Sequence, residues 1–431
     1  MLLPVLLISI SCTLSAQTKP IAFKGATIYP VTGKPITNGT LIVQDGKIVA
    51  VGDASLNIPS DAVVQDAKGK VIMPGIVDTH SHLGGPEGGD NSSALNPDTR
   101  AFDAINPTSD GFKKALAGGL TTLNIMPGSG HLMSGQTVYV KMREAQVMED
   151  LIIVNEKGVF GGMKMANGTN PMRGTTGFPG TRAKSAAMDR DLFVKAQEYK
   201  KKIEKAGKDS SKLPERDLRL EPLVEVLQGK RVVHFHTHKE NDILTAIRLS
   251  QEFGFRVVLH HVSEGWKVYE QIAKANVPCS IIVIESPGGK LEAMDYSSTN
   301  GAALSNAGVL TGFHTDDGVT DSRLLIRGAA LSVKAGMSKE KALEALTING
   351  AKMLDLSSRI GSLEKGKDAD FIILSGDPFS VYTKVEQTWV EGKKRYDIKN
   401  PEDKAFLVGG FKVYSTDREE YHNHDDEIGN Q

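Results

Sequence analysis

The chain has 431 residues, with 51 Lys+Arg against 52 Asp+Glu, 40% hydrophobic residues and only 2 cysteines. That length suits two or three ordinary domains, or one barrel of roughly 250 residues carrying something smaller, and the apolar fraction excludes a disordered chain. The near-balanced charge supplies no basic field to gather phosphates, which argues against nucleic acid as a partner.

Residues 1–16, MLLPVLLISISCTLSA, are uncharged and mostly apolar but short for a bilayer span, so they read as a signal peptide cut after Ala16. The protein is therefore expected to be exported, to the periplasm or the extracellular side. Cys12 is a weak lipidation candidate, because Ser9 stands where such signals want a branched apolar residue. After cleavage only Cys279 remains, which leaves no intramolecular disulfide. No later segment reads as a membrane span.

From Ile21 to Val71 short apolar runs alternate with turn signals, and Asp45-Gly46 separates two strands as a hairpin turn. Residues 74–355 change to a strand-then-helix grammar. RVVHFHTH is a β-branched run, ENDILTAIRLSQEFG is an amphipathic helix closed by Gly254, and FRVVLHHV opens the next strand. Such repeats build either a doubly wound sheet or a (β/α)8 barrel, and periodicity does not separate the two. The stretch 171–217 reads as a long loop plus a charged helix. Beyond residue 355 short strands return up to about residue 400. The two flanking β pieces, 17–73 and 356–400, are too small to hold cores alone and are expected to pair into one β domain. Residues 401–431, including His422 and His424, read as a solvated tail.

Nine histidines fall in the βα region, mostly at predicted strand ends. His80 and His82, two residues apart on IVDTHSH, point to one side and can converge on one cation. Other candidates recur at whole multiples of a βα unit of roughly 25–30 residues. His236 to His261 spans 25 residues and His261 to Asp316 spans 55, while Lys164, 82 after His82, closes another strand. His234, His236 and His238 share a face, so spacing leaves that choice open. His131 and His314 read as loop or core polar residues.

The segments PGIVDTHSH, HTHKENDILTA, VVLHHVSEG, TDDGVTDSR and TINGAKMLDLSSRIGSLEKGKDADFIIL resemble the amidohydrolase superfamily, in its imidazolonepropionase and prolidase-like branch, over roughly residues 21–395. The resemblance implies an α/β fold: a (β/α)8 TIM-like barrel with a small β-sandwich domain built from both termini. It also implies one or two divalent metal ions, with zinc the first expectation. His80, His82, His236, His261 and Asp316 match the family's ligand positions, with Asp316 the proton shuttle and His261 a ligand or water-positioning group. His238 becomes a substrate contact. Lys164 matches a lysine that is carboxylated and bridges two metals in binuclear members; an unmodified lysine would instead cap a strand or hold a substrate carboxylate. Where His260 stands, the branch usually has an acidic residue.

The expected chemistry is hydrolysis of an amide or peptide C–N bond by a metal-activated hydroxide. A dipeptide or N-acyl amino acid is the expected substrate, with Arg173 and Arg182 in the long loop as a clamp on its carboxylate. The alternatives are a mononuclear cyclic-amide hydrolase, like imidazolonepropionase, or a deaminase. Deaminases of the superfamily place a glutamate three residues after the strand 5 histidine, and here that position is Lys239. A catalytically dead binding module is disfavoured by retention of the ligand set. The small-molecule or short-peptide substrate is the one partner read from the sequence, and a homo-oligomer is compatible with it.

Overall fold

The computed structural model describes residues 18–86, 88–283 and 290–409. The signal segment, Cys12, His422 and His424 lie outside the described residues.

The terminal β pieces join in one eight-stranded sheet. Its path runs Lys393–Asp397, Val385–Val390, Phe371–Leu374, Val71–Pro74, Ile21–Ile28, Ile36–Gln44 and Lys47–Gly52, with Val63–Asp66 pairing off Ile21–Ile28. The junction between the two ends is antiparallel, with Ile372 opposite Met73. The Asp45-Gly46 turn forms as expected, both residues at positive φ (49° and 76°), which a two-residue hairpin requires. On one face of the sheet Phe23, Phe371 and Trp389 interlock, Phe23 meeting Phe371 edge-on at 5.0 Å. Aromatics from residues 23, 371 and 389 thus bind the ends of the chain by burying area neither end could bury alone.

Between them lies the βα region, whose strands are buried along their whole length, as parallel strands covered by helices must be. Met163–Ala166, Val233–Thr237, Val257–His261, Cys279–Ile281 and Thr311–Phe313 run parallel in sequence order. Ile76–Ser81 pairs in parallel with Leu120–Ile125, which pairs in turn with the antiparallel Val138–Lys141. The Asp316 N–H donates to the His80 carbonyl at 2.9 Å, tying the first of these strands to the last. Helix Glu240–Phe253 ends at Gly254 in the left-handed conformation, φ 72°. The charged helix expected within 171–217 is Arg182–Ala206, its first turn capped by the Thr181 hydroxyl. Among the described residues no helix is long and apolar enough to cross a membrane.

A buried charge network fastens the terminal sheet to the βα region. Lys141 is fully buried and pairs with Asp368, with Asp370 at 2.9 Å and with Glu391 at 3.3 Å. Arg143 donates two further hydrogen bonds to Glu391.

Candidate metal centre

The strand ends bring the predicted residues together. His80 closes Ile76–Ser81, His82 follows it, Lys164 lies on Met163–Ala166, His236 on Val233–Thr237, His261 ends Val257–His261, and Asp316 follows Thr311–Phe313. All are at least nine-tenths buried.

His80 Nε2 faces His82 Nε2 at 3.2 Å, and Asp316 Oδ1 stands 3.3 Å from the first and 2.8 Å from the second. Lys164 Nζ lies 3.0 Å from His80 Nε2. These spacings match the edge of a tetrahedron of N and O ligands about a zinc-like ion, which is about 3.3 Å for bonds of about 2.0–2.1 Å. Beside it His236, His238 and His261 form a second group whose ligand atoms lie within 4.8 Å of one another. The Nε2 atoms of His238 and His261 are buried without a hydrogen-bond partner among the described residues.

Burial, and then the charge of Lys164, holds the His80 imidazole far below its usual pKa; burial, then His236, does the same to His261. The rings are thus neutral Lewis bases at ordinary pH, as metal ligation demands. Lys164 is brought down to about 7, chiefly by burial, with Asp316 pulling the other way. An amine so placed is partly neutral near pH 7, which weakens its repulsion toward a cation and makes the neutral fraction nucleophilic. Two imidazole nitrogens facing one another against a carboxylate share too few protons to satisfy all three, and a divalent ion fits that set.

Secondary contacts aim the ligands. His82 Nδ1 lies 2.7 Å from the Met126 carbonyl, so Nδ1–H donates there and Nε2 is the nitrogen turned toward the centre. Asp78 Oδ1 accepts from the His80 and Thr315 backbone N–H groups, each at 3.1 Å, and its Oδ2 from the Thr315 hydroxyl. One carboxyl, pushed up to about 7 by burial, therefore fixes both ligand strands. His261 and Val262 sit at φ 68° and 51° and Asp316 at φ 50°. Such left-handed conformations cost on the order of 1–3 kcal/mol each, and here they turn side chains at two strand ends toward the centre.

Of the three histidines sharing a face, His234 is spent elsewhere: Nε2 meets the Tyr139 hydroxyl at 3.2 Å and Nδ1 meets His260 Nε2 at 3.0 Å. Gly162 is required there, since a Cβ would stand 2.5 Å from the His234 ring. His236 and His238 reach the second group instead. His131 packs on Phe178, apart from the centre, as its reading as a core polar residue expects. His314 is a fully buried polar residue, within that reading, and it also reaches the centre. It contacts His261 Nδ1 at 3.2 Å, bonds Ser280 Oγ at 2.8 Å and forms a third possible ligand group with His80 and His260. Its period-two relation to Asp316 was the signal. Asp78, Met126 and Glu292, which lies 4.0 Å from His236 Nε2, were not anticipated.

The arginines are engaged elsewhere. Arg182 Nε donates to both oxygens of Asp242, at 3.0 and 2.9 Å. Arg173 bonds Asn91 and the Gly130 carbonyl and stacks on Phe178 at 4.6 Å.

A family model described as the amidohydrolase family matches residues 276–396. Amidohydrolase tasK of Hapsidospora irregularis is 26% identical over 428 residues, covering 88% of this chain and 43% of its own length, so the chain spans less than half of that relative. Imidazolonepropionase of Alkaliphilus metalliredigens is 25% identical over 79% of this chain and 84% of its own. The crystal structure of an amidohydrolase from Thermotoga maritima MSB8 is 35% identical with a TM-score of 0.82, covering 88% of this chain and 100% of that one.

Proposed function

The chain belongs to the amidohydrolase family and is a hydrolase of C–N bonds, and from that premise we propose that it is an exported, metal-dependent enzyme cleaving a dipeptide or N-acyl amino acid. The convergence of His80 Nε2, His82 Nε2 and Asp316 Oδ1 within 3.3 Å carries the reading. His80, His82 and Asp316 would hold one ion, and His236 and His261 a second, with zinc favoured by the imidazole and carboxylate donors. When bound, such an ion polarises a carbonyl and lowers the pKa of water to roughly 7.

The chain's own residues do the rest. The Lys164 amine, once neutral, can form an N–C bond to carbon dioxide with release of a proton, and the resulting carbamate would be an anionic ligand for the metal. Asp316 accepts the proton of the attacking water and returns it to the leaving nitrogen, one carboxylate serving as base and then acid. His238 presents Nε2 to the substrate. We also read the parallel strands, over 74–355, as a (β/α)8 barrel and the terminal sheet, from 17–73 and 356–400, as its β-sandwich companion, with residues 1–16 as the signal that exports the protein.

For the substrate carboxylate we propose Arg182, at the start of helix Arg182–Ala206, which must exchange its Asp242 pair for the substrate, with Arg173 in the preceding loop as its neighbour. Assay of dipeptides, N-acyl amino acids and cyclic amides with the wild type and Arg182→Ala tests the reading. Hydrolysis of the linear amides, with KM raised about tenfold in the variant for carboxylate-bearing substrates, is expected. An unchanged KM with lowered stability confines Arg182 to its Asp242 pair, and turnover of cyclic amides alone selects the imidazolonepropionase-like alternative.

A further inference from the structure

Glu292 stands in the turn Leu291–Ala293, beyond strand Cys279–Ile281, and is 1% exposed. Its Oε2 accepts the Thr169 N–H at 2.7 Å. Gly168, at φ 76°, makes room for it, since a Cβ there would stand 2.5 Å from Oε2. Its Oε1 lies 4.0 Å from His236 Nε2 and has no hydrogen-bond partner among the described residues. A buried carboxylate oxygen without a donor is expensive, so an arrangement that keeps one leaves a place for a donor to bind.

His238 shows the same deficit beside it. The ring lies 4.6 Å from that of His236, and in the tautomer that donates Nδ1–H to Ser263 Oγ at 2.8 Å the buried Nε2 is an acceptor without a donor. The neighbouring cations are engaged, Lys290 with Asn170 Oδ1 at 3.2 Å and Arg182 with Asp242. Two acceptors lacking donors, one of them a carboxylate, are met by a ligand that is cationic and carries several N–H groups. A primary ammonium carries three.

We propose that Glu292 is a specificity-determining residue whose Oε1, with His238 Nε2, binds the free amino group of the substrate. This rests on the function proposed above and narrows it, because a dipeptide carries that ammonium and an N-acyl amino acid does not. The scale is right: in a dipeptide the amino nitrogen lies about 2.5 Å from the scissile carbonyl carbon, so an acceptor just past His236 serves the first group while the carbonyl faces the ligands.

The test compares kcat/KM for a dipeptide and its N-acetylated form in the wild type, Glu292→Gln and Glu292→Asp, with metal content and thermal midpoint measured for each. The wild type is expected to prefer the free amine. Glu292→Gln should lower that preference at least tenfold, through KM, with metal content kept, and Glu292→Asp should retain part of it. An unchanged preference overturns the proposal. So does a loss of metal in Glu292→Gln, which makes Glu292 a ligand, or an equal fall in kcat for both substrates, which makes it a proton donor. If the wild type cleaves neither substrate, the function itself fails and the inference falls with it; if it cleaves both and the variant preserves their ratio, only the inference falls.

Discussion

Replacing Asp316 by Asn is expected to lower kcat by about 10³-fold or more, within or beyond the range of general acid–base catalysis, while the protein stays folded. The Asn keeps the volume, and its backbone N–H still meets the His80 carbonyl at 2.9 Å. The Thr315 contacts with Asp78 that hold this segment do not involve the Asp316 side chain. What is lost is the oxygen lying 2.8 Å from His82 Nε2 and the base that carries a proton from water to the leaving nitrogen. Steady-state kinetics, with metal content and a denaturation curve on the same preparation, check this. A variant within tenfold of wild-type kcat would sink the assignment of Asp316 as proton shuttle.

Stability should respond most to Lys141. Lys141→Met removes the cation from between Asp368, Asp370 and Glu391, leaving two nearly fully buried carboxyl groups facing one another. Breaking a buried pair from one side costs about 3–5 kcal/mol, and that loss is expected in chemical denaturation. The same network sets an acid limit. Burial would raise the Glu391 carboxyl, but the Arg143 hydrogen bonds and the Lys141 charge override it and hold it at about 2. A carboxyl depressed on folding stabilises fully above its unfolded value, about 4.3, and loses that contribution as pH falls toward 2. Asp368 is lowered by Lys141, with help from Lys47 and Arg359, against its own burial, and Asp370, raised by burial, opposes them in part. Wild-type stability should therefore fall between about pH 4.3 and 2, and less steeply in Lys141→Met. A variant within about 1 kcal/mol of the wild type at neutral pH would contradict this account of the network.

Much of this centre was legible because its ligands obey local rules. His80 and His82 obey the period of two, and the strand-end candidates recur at unit spacings, while the choice of His236 among three histidines on one face and of His261 over His260 came from the family resemblance. The pairing of the two terminal β pieces followed from each being too small to bury its own face, and Ile372 does lie opposite Met73. The residues that escaped act across the fold. Glu292 reaches His236 from a turn 56 residues away, and Asp78 acts through the backbone of Thr315. The antiparallel strand Val138–Lys141, with a fully buried lysine, breaks the binary pattern and makes sense only beside Asp368 and Asp370. The Asp242 partner of Arg182 also escaped, because it belongs to another helix.

The central claim is that these side chains hold metal, with Lys164 part of the set. Elemental mass spectrometry of the purified protein, produced with zinc and incubated with bicarbonate, beside Lys164→Ala, tests it most directly. The account predicts two ions per chain, falling to one or none in the variant. One ion in both proteins would return Lys164 to the role of an unmodified amine, and a wild type that binds no stoichiometric ion would contradict the claim itself.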